Sequence, residues 1–277
     1  MSLPHNRWLR VAVNDVREAR RDRTLLALGV LYVLVGILGG YLLSQVSGFA
    51  EPGVSYAVLT LQLLGVLVPL TAVGITYGTV VGRRADGSMK LLLGLPYLRW
   101  DVVLGWYVGR LVVVTIVALV GFASIAVAGL VFGVALPEPV LVLQAVALVL
   151  AVGTALTGMA LAISASTRST TIAATATFLL AVALLFLWGV LGTALVFIVN
   201  GLSVGQEPAW ATFLQAINPV NSFKALASMI VPTFDGLARL VSGETVYQTP
   251  AFAVVVLAVW STVVPLLGYL RFRAVDI

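Results

Sequence analysis

Few side chains in this sequence are equipped for chemistry, and their spacing rules out most of it. The hydroxyl-rich stretch Ser164-Ala-Ser-Thr-Arg-Ser-Thr170 offers nucleophiles, but no histidine or carboxylate lies near it in sequence to serve as base. It reads as a tight turn. His5 is the sole histidine, placed in the N-terminal tail without a ligand pattern. The chain has no cysteine, which removes disulfides, thiolate metal sites and cysteine nucleophiles. Lys90 and Lys224 are the only lysines, and neither stands in the G-x-x-x-x-G-K-[ST] context that cradles phosphates. No cofactor or metal is expected on this chain. Arg110 is the single ionisable side chain within the long apolar stretches. Ion-coupled carriers and intramembrane enzymes need polar groups at mid-membrane, so both classes lose ground. Any uphill work must draw its energy from another chain.

The elements that must position these residues are six apolar stretches: Thr24–Val46, Val54–Gly82, Val102–Ala135, Val140–Ile163, Thr171–Val199 and Ala251–Leu270. Each reaches the roughly 20 residues needed to cross a hydrocarbon core. A cytoplasmic N-terminus places Arg7, Arg10, Arg17, Arg20, Arg21, Arg23, Arg83, Arg84, Lys90, Arg99, Arg110, Arg168, Arg271 and Arg273 at the inner face. Only Lys224 and Arg239 are left outside, a split of 14 to 2 among the 16 basic residues. Short basic loops resist translocation, so the expected protein is all-α, polytopic and in the cell membrane, with both termini cytoplasmic. With 61% hydrophobic and 10% charged residues it is no ordinary soluble domain. Its net charge of +5 is a positive-inside signal and implies attraction to lipid, not to nucleic acid. Thr24–Val46 lacks a cleavage site and reads as a retained first span.

The expected organisation is one transmembrane domain over 1–277. Residues 1–23 form a cytoplasmic interfacial helix, 24–199 hold spans one to five, 200–249 an external helical loop, and 250–277 span six and a tail. From Trp8 to Asp22 the sequence is amphipathic, with Leu9, Val13 and Val16 on one stripe and Arg10, Asn14, Arg17, Glu18 and Arg21 elsewhere. Trp8 is expected to anchor this helix at the interface, and Arg110 to extend to the inner face from span three. Between spans two and three, Asp86-Gly87 supplies a turn and Ser88 a cap position for a short apolar helix. Gly94 and Pro96 stop that helix, and Arg99-Trp100-Asp101 caps and anchors the next span. Its apolar face (Met89, Leu92 and Leu93) has no evident partner in so short a joint, so a second protein is expected to supply one. In the external stretch, Asn218-Pro219 breaks two short helices that dip into the outer leaflet, with a seventh span as the alternative. Glycines at four-residue spacing (Gly74/Gly78/Gly82, Gly105/Gly109, Gly129/Gly133) suit close helix contact, either across a dimer or within one subunit.

The order of basic helix, two spans, cytoplasmic Gly87-Ser-Met-Lys-Leu-Leu-Leu-Gly-Leu-Pro96, Arg99-Trp100 and four spans resembles the ABC-2 type exporter permeases. That family commonly carries Glu-Arg-Glu-x-Gly-Thr-Leu-Glu-Leu-Leu-Leu-x-Leu-Pro-x-x-Arg. The external Ile217-Asn218-Pro219-Val220 also resembles its Asn-Pro segment before the last span. The likeness covers essentially the whole chain, and only the cytoplasmic motif is specific; in layout the chain is also similar to the permeases that accompany nitrous-oxide reductase maturation. The resemblance implies an elbow helix at the N-terminus and a coupling helix carrying Asp86, Gly87, Ser88, Met89, Lys90, Leu92, Leu93, Leu95 and Pro96. That helix docks on a separate ATP-binding subunit holding ATP and Mg, and two permeases pair around a path. Ala85 and Lys90 replace the family's acids, so the partner's charge preference differs. A transport subunit is the leading reading. A non-transporting assembly or regulatory subunit worked by the same ATPase stands second, and the cargo is left open.

Overall fold

In hydrocarbon a long apolar run satisfies its own peptide groups only as a helix, and the long apolar stretches among the described residues are helical. A computed structural model describes residues 7–46, 52–89, 97–203, 208–234 and 237–274. The helices are α1 (Arg7–Arg21), α2 (Thr24–Val46), α3 (Pro52–Thr76), α4 (Thr79–Ala85), α5 (Arg99–Val131), α6 (Pro139–Ser166), α7 (Thr170–Val182), α8 (Trp188–Val199), α9 (Ala209–Ala216), α10 (Pro219–Ile230) and α11 (Pro250–Arg273). Six stretches are long and apolar enough to cross a membrane: Thr24–Gln45, Val54–Ala85, Arg99–Val131, Pro139–Ser166, Thr170–Val199 and Pro250–Arg273. The seventh span left open by the sequence is not among them.

Small residues set the close contacts. A Cβ at Gly36 or Gly40 of α2 would overlap Ser124 or Ala128 of α5, and one at Gly268 of α11 would overlap Ala162 of α6. Ser124 Oγ donates to the Tyr32 carbonyl (3.0 Å), and Tyr32 donates to Thr71 Oγ1 (3.0 Å) across the core. That core joins Tyr32, Leu64, Val117, Leu156 and Phe223. Gly129 and Gly133 do not form a helix-packing face: Gly133 has φ +78° just beyond α5, where left-handed backbone ends the helix. Gly74, Gly78 and Gly82 face open space.

Two irregularities divide the expected spans. Span two breaks after Thr76, and α4 restarts at Thr79 with its first turn buried. Ser164 Oγ accepts from Val80 N (3.0 Å) and Val81 N (3.2 Å), so a hydroxyl on α6 caps α4. Span five carries a π-helical turn at Ala183–Leu187 between α7 and α8. Outside the core, Leu26, Val30, Leu34 and Leu38 of α2 and Phe186, Val190 and Ile198 of span five point outward as apolar surface.

Candidate functional site

At the end of the bundle bearing both terminal helices, Val11, Val80, Met89, Val102, Trp106, Leu161 and Phe272 bury one another. The two glycines Gly105 and Gly109 explain how α1 reaches α5. A Cβ at Gly105 would strike Val11 and the Trp8 carbonyl, and one at Gly109 would strike the Asp15 side chain. The choice left open between dimer contact and internal packing therefore falls to internal packing for this pair. The packed face of α1 is Val11, Ala12, Asp15 and Ala19. Leu9 and Val13 stay exposed. At about 100° per residue these two faces lie roughly 110° apart, so the amphipathic stripe read from the sequence is not the face that holds α1.

Asp15 sits in the middle of that contact with its side chain 1% exposed. Its Oδ1 accepts from Arg83 Nη2 (2.9 Å) and lies 3.1 Å from Arg110 Nη2. Arg83 also donates to Glu18 Oε2 (2.6 Å) and to the Thr79 carbonyl (3.0 Å), and stacks over Trp106 at 4.9 Å. Arg110, which the sequence reading extends to the inner face, has a side chain only 14% exposed. Its charge is met inside the protein by an acid on α1. Burial pushes the Asp15 carboxyl above its ordinary value, against the pull of Arg110 and Arg83. One carboxylate ties α1, the end of span two and the start of span three.

The joint after α4 begins beside this cluster. Asp86 Oδ1 accepts from the Ser88 N–H (2.9 Å) and the Ser88 hydroxyl (2.6 Å), while Gly87 takes φ +78°. Asp86 and Ser88 thus close a turn over Gly87, and these two bonds hold the Asp86 carboxyl below its usual range; the helix that Ser88 was expected to cap lies largely outside the described residues. Met89 is completely buried among this chain's own residues. That corrects its place on an unpartnered face: its thioether fills the gap between α4, α5 and the end of α11. Lys90, Leu92, Leu93, Leu95 and Pro96 lie outside the described residues. Arg99 donates to the Arg273 carbonyl (2.9 Å), and Trp100 packs edge-on against Tyr269 at 5.0 Å. The expected anchors thus join spans three and six; Trp100 is also 42% exposed. Asp101 accepts from the Leu98 N–H (3.2 Å), capping α5 as expected.

At the other end, Asn218 and Pro219 divide α9 from α10. Asn218 Oδ1 caps Val220 N (2.8 Å), Pro219 takes the first helical position, and Asn218 Nδ2 donates to the Leu184 carbonyl (3.0 Å) in the π-turn. The carbonyls that end α9 are met by side chains: Trp188 reaches Leu214 (2.9 Å), Asn221 reaches Gln215 (3.0 Å), Ser222 reaches Ala216 (3.1 Å) and Trp260 reaches Ile217 (3.1 Å). A broken helix packed among apolar helices persists only with its freed peptide groups paired.

A family model described as ABC-2 family transporter protein matches residues 9–277. The chain belongs to the ABC-2 transporter family. It is 32% identical over 122 residues to a Pseudomonas aeruginosa protein named probable ABC transporter permease protein NosY, covering 43% of this chain and 44% of that one. A Stutzerimonas stutzeri protein of the same name is 32% identical over 136 residues, 47% of this chain and 49% of its own. The chain spans about half the length of the curated relatives it matches. In this ABC-2 chain, Asp15, Arg83, Ser164, Trp188 and Trp260 carry contacts that the sequence reading did not single out. An Asp on the packed side of an amphipathic helix, opposite an Arg83-Arg84 doublet, was the available signal for the first two. Among the described residues, no three His, Cys, Asp or Glu side chains gather to hold a metal.

Proposed function

We propose that this chain is the membrane permease subunit of an ATP-driven ABC-2 exporter, seated in the cell membrane with both termini cytoplasmic. The family match over residues 9–277, on a chain with six helices able to cross a membrane, carries the reading. ATP and Mg belong to a separate ATP-binding subunit. That subunit docks on the joint 86–96, whose root is fixed by Asp86 and Met89, and Leu92 and Leu93 are the side chains assigned to that contact. α1 is the elbow helix: Leu9 and Val13 meet lipid, and Asp15 holds it to Arg83 and Arg110. Movement imposed on the joint then passes to spans two, three and six through the same buried cluster. α9 and α10, of 8 and 12 residues, are too short to cross and re-enter from the outside. Span five is 17% buried against 50% for span two, which supports pairing with a second permease along span five.

The test is capture of the ATP-binding subunit by affinity-tagged permease from membranes producing both. Wild type is expected to retain it, and Leu92→Asp/Leu93→Asp to lose it while still inserting. Equal retention by both would assign the joint to loop structure alone. Retention together with ATP hydrolysis but no vesicle transport would favour an assembly subunit over an exporter.

A further inference from the structure

We propose that Arg10, Arg17 and Arg21 of α1 form a binding row for anionic phospholipid headgroups, an inference resting on the reading of α1 as an interfacial helix. At about 100° per residue these three arginines fall within roughly 40° of one another around the helix. Leu9, Val13 and Val16 form the neighbouring stripe, centred roughly 90° away. Leu9 is 41% and Val13 39% exposed. All three arginines are exposed as well, and among the described residues none of them is paired with an acid. The acids of α1 face another way. Asp15 and Glu18 turn to Arg83 at 2.9 and 2.6 Å, on a side centred roughly 110° from the arginine row. Asp22 lies just past α1, in the turn before α2.

Contacts between α2 and α5 fix the height of this row. Gly36 meets Ser124 and Gly40 meets Ala128, so the two helices run parallel in equal steps. The same register carried down α2 sets Thr24, where the first apolar span opens, level with Val112. α1 crosses α5 at Gly105 and Gly109, which at about 1.5 Å per residue is roughly 5–10 Å nearer the basic end. The headgroup layer is about 5–8 Å deep on each side of the hydrocarbon, so α1 crosses at that depth. There the apolar stripe turns to the acyl boundary and the adjoining arginines to the phosphates. Guanidinium groups take phosphate oxygens through charge-assisted N–H bonds. The seat is rigid: Val11 and Asp15 press on Gly105 and Gly109, and Arg83 and Arg110 hold Asp15 at 2.9 and 3.1 Å. An acidic protein surface would satisfy the arginines but leave Leu9 and Val13 in water.

The native chain has no cysteine, so Val13→Cys carries a single bimane label into phosphatidylcholine vesicles. Trace phosphatidylglycerol or phosphatidylcholine, each bearing a doxyl quencher near the headgroup, is added at equal fraction. The phosphatidylglycerol quencher is expected at roughly fivefold higher local concentration around the label, the factor that one arginine beside an anionic surface supplies. Concentrated salt should erase that preference. Arg10→Gln/Arg17→Gln/Arg21→Gln should lose it too. Arg168→Gln/Arg271→Gln/Arg273→Gln removes the same charge from other exposed positions and should keep it. Equal quenching by both lipids, or a preference that survives Arg10→Gln/Arg17→Gln/Arg21→Gln, would overturn the headgroup assignment and leave the row to an acidic protein surface. Quenching by neither lipid would overturn the interfacial reading of α1 as well. With no ATP and no second subunit present, each outcome is independent of the exporter reading.

Discussion

Asp15 is the residue on which the basic end turns, because two arginines from distant spans share one of its oxygens. Replacing it with Ala leaves Arg110, whose side chain is 14% exposed, without its counter-ion. Breaking a buried pair from one side costs about 3–5 kcal/mol, so Asp15→Ala should lower the thermal midpoint sharply. Glu18→Gln should change little, since Glu18 is 56% exposed and exposed pairs are worth about 0–1 kcal/mol. Similar midpoints for the two variants would refute this assignment. The pH dependence has a definite sign. With its folded value raised, Asp15 keeps its proton in the folded chain after the unfolded chain has released it. Its contribution to stability is therefore greatest below the ordinary carboxylate range and declines as pH rises through the raised value. Met89→Asp and Leu92→Asp should also separate. The first puts a charge in a fully buried site, forfeiting about 1.5–3 kcal/mol of apolar burial besides, and should lower folded yield; the second should spare it.

At the scale of elements, the six spans were legible because length and hydropathy decide membrane crossing, and the break at Asn218-Pro219 was legible because proline and a capping asparagine mark it. The break after Thr76 was not. Gly78 and Thr79 are weak signals, and the hydroxyl that makes the break tolerable lies on α6, 84 residues away in sequence. The packing face of α1 was hidden for a related reason. Leu9, Val13 and Val16 form the stronger apolar stripe, whereas the packed face contains an aspartate whose partners are remote. Gly109→Leu should therefore loosen α1 from α5, seen as faster proteolysis within residues 7–23, although the amphipathic stripe is intact. Asn218→Ala should cost about 1–3 kcal/mol by leaving the Leu184 carbonyl unpaired. An unchanged melting midpoint would show that the π-turn does not depend on it.

For the whole molecule, the proposed orientation and coupling rest on one asymmetry: the terminal helices and most basic residues gather at one end, the broken helix at the other. The native chain has no cysteine, so single cysteines report topology cleanly. Cysteines at Ser203 and Ser242, both on exposed loops, should react with an impermeant reagent from outside, and one at Ser166 only after permeabilisation. The reverse pattern would invert the molecule. The central claim is that a separate ATP-binding subunit drives this permease through the joint between spans two and three. A photo-crosslinking amino acid at position 92, in membranes producing both proteins, tests it most directly. The account predicts an adduct with the ATP-binding subunit whose yield changes on adding ATP, and none from position 34 on the outward face of α2. Adducts from position 92 confined to lipid or to this chain itself would contradict it.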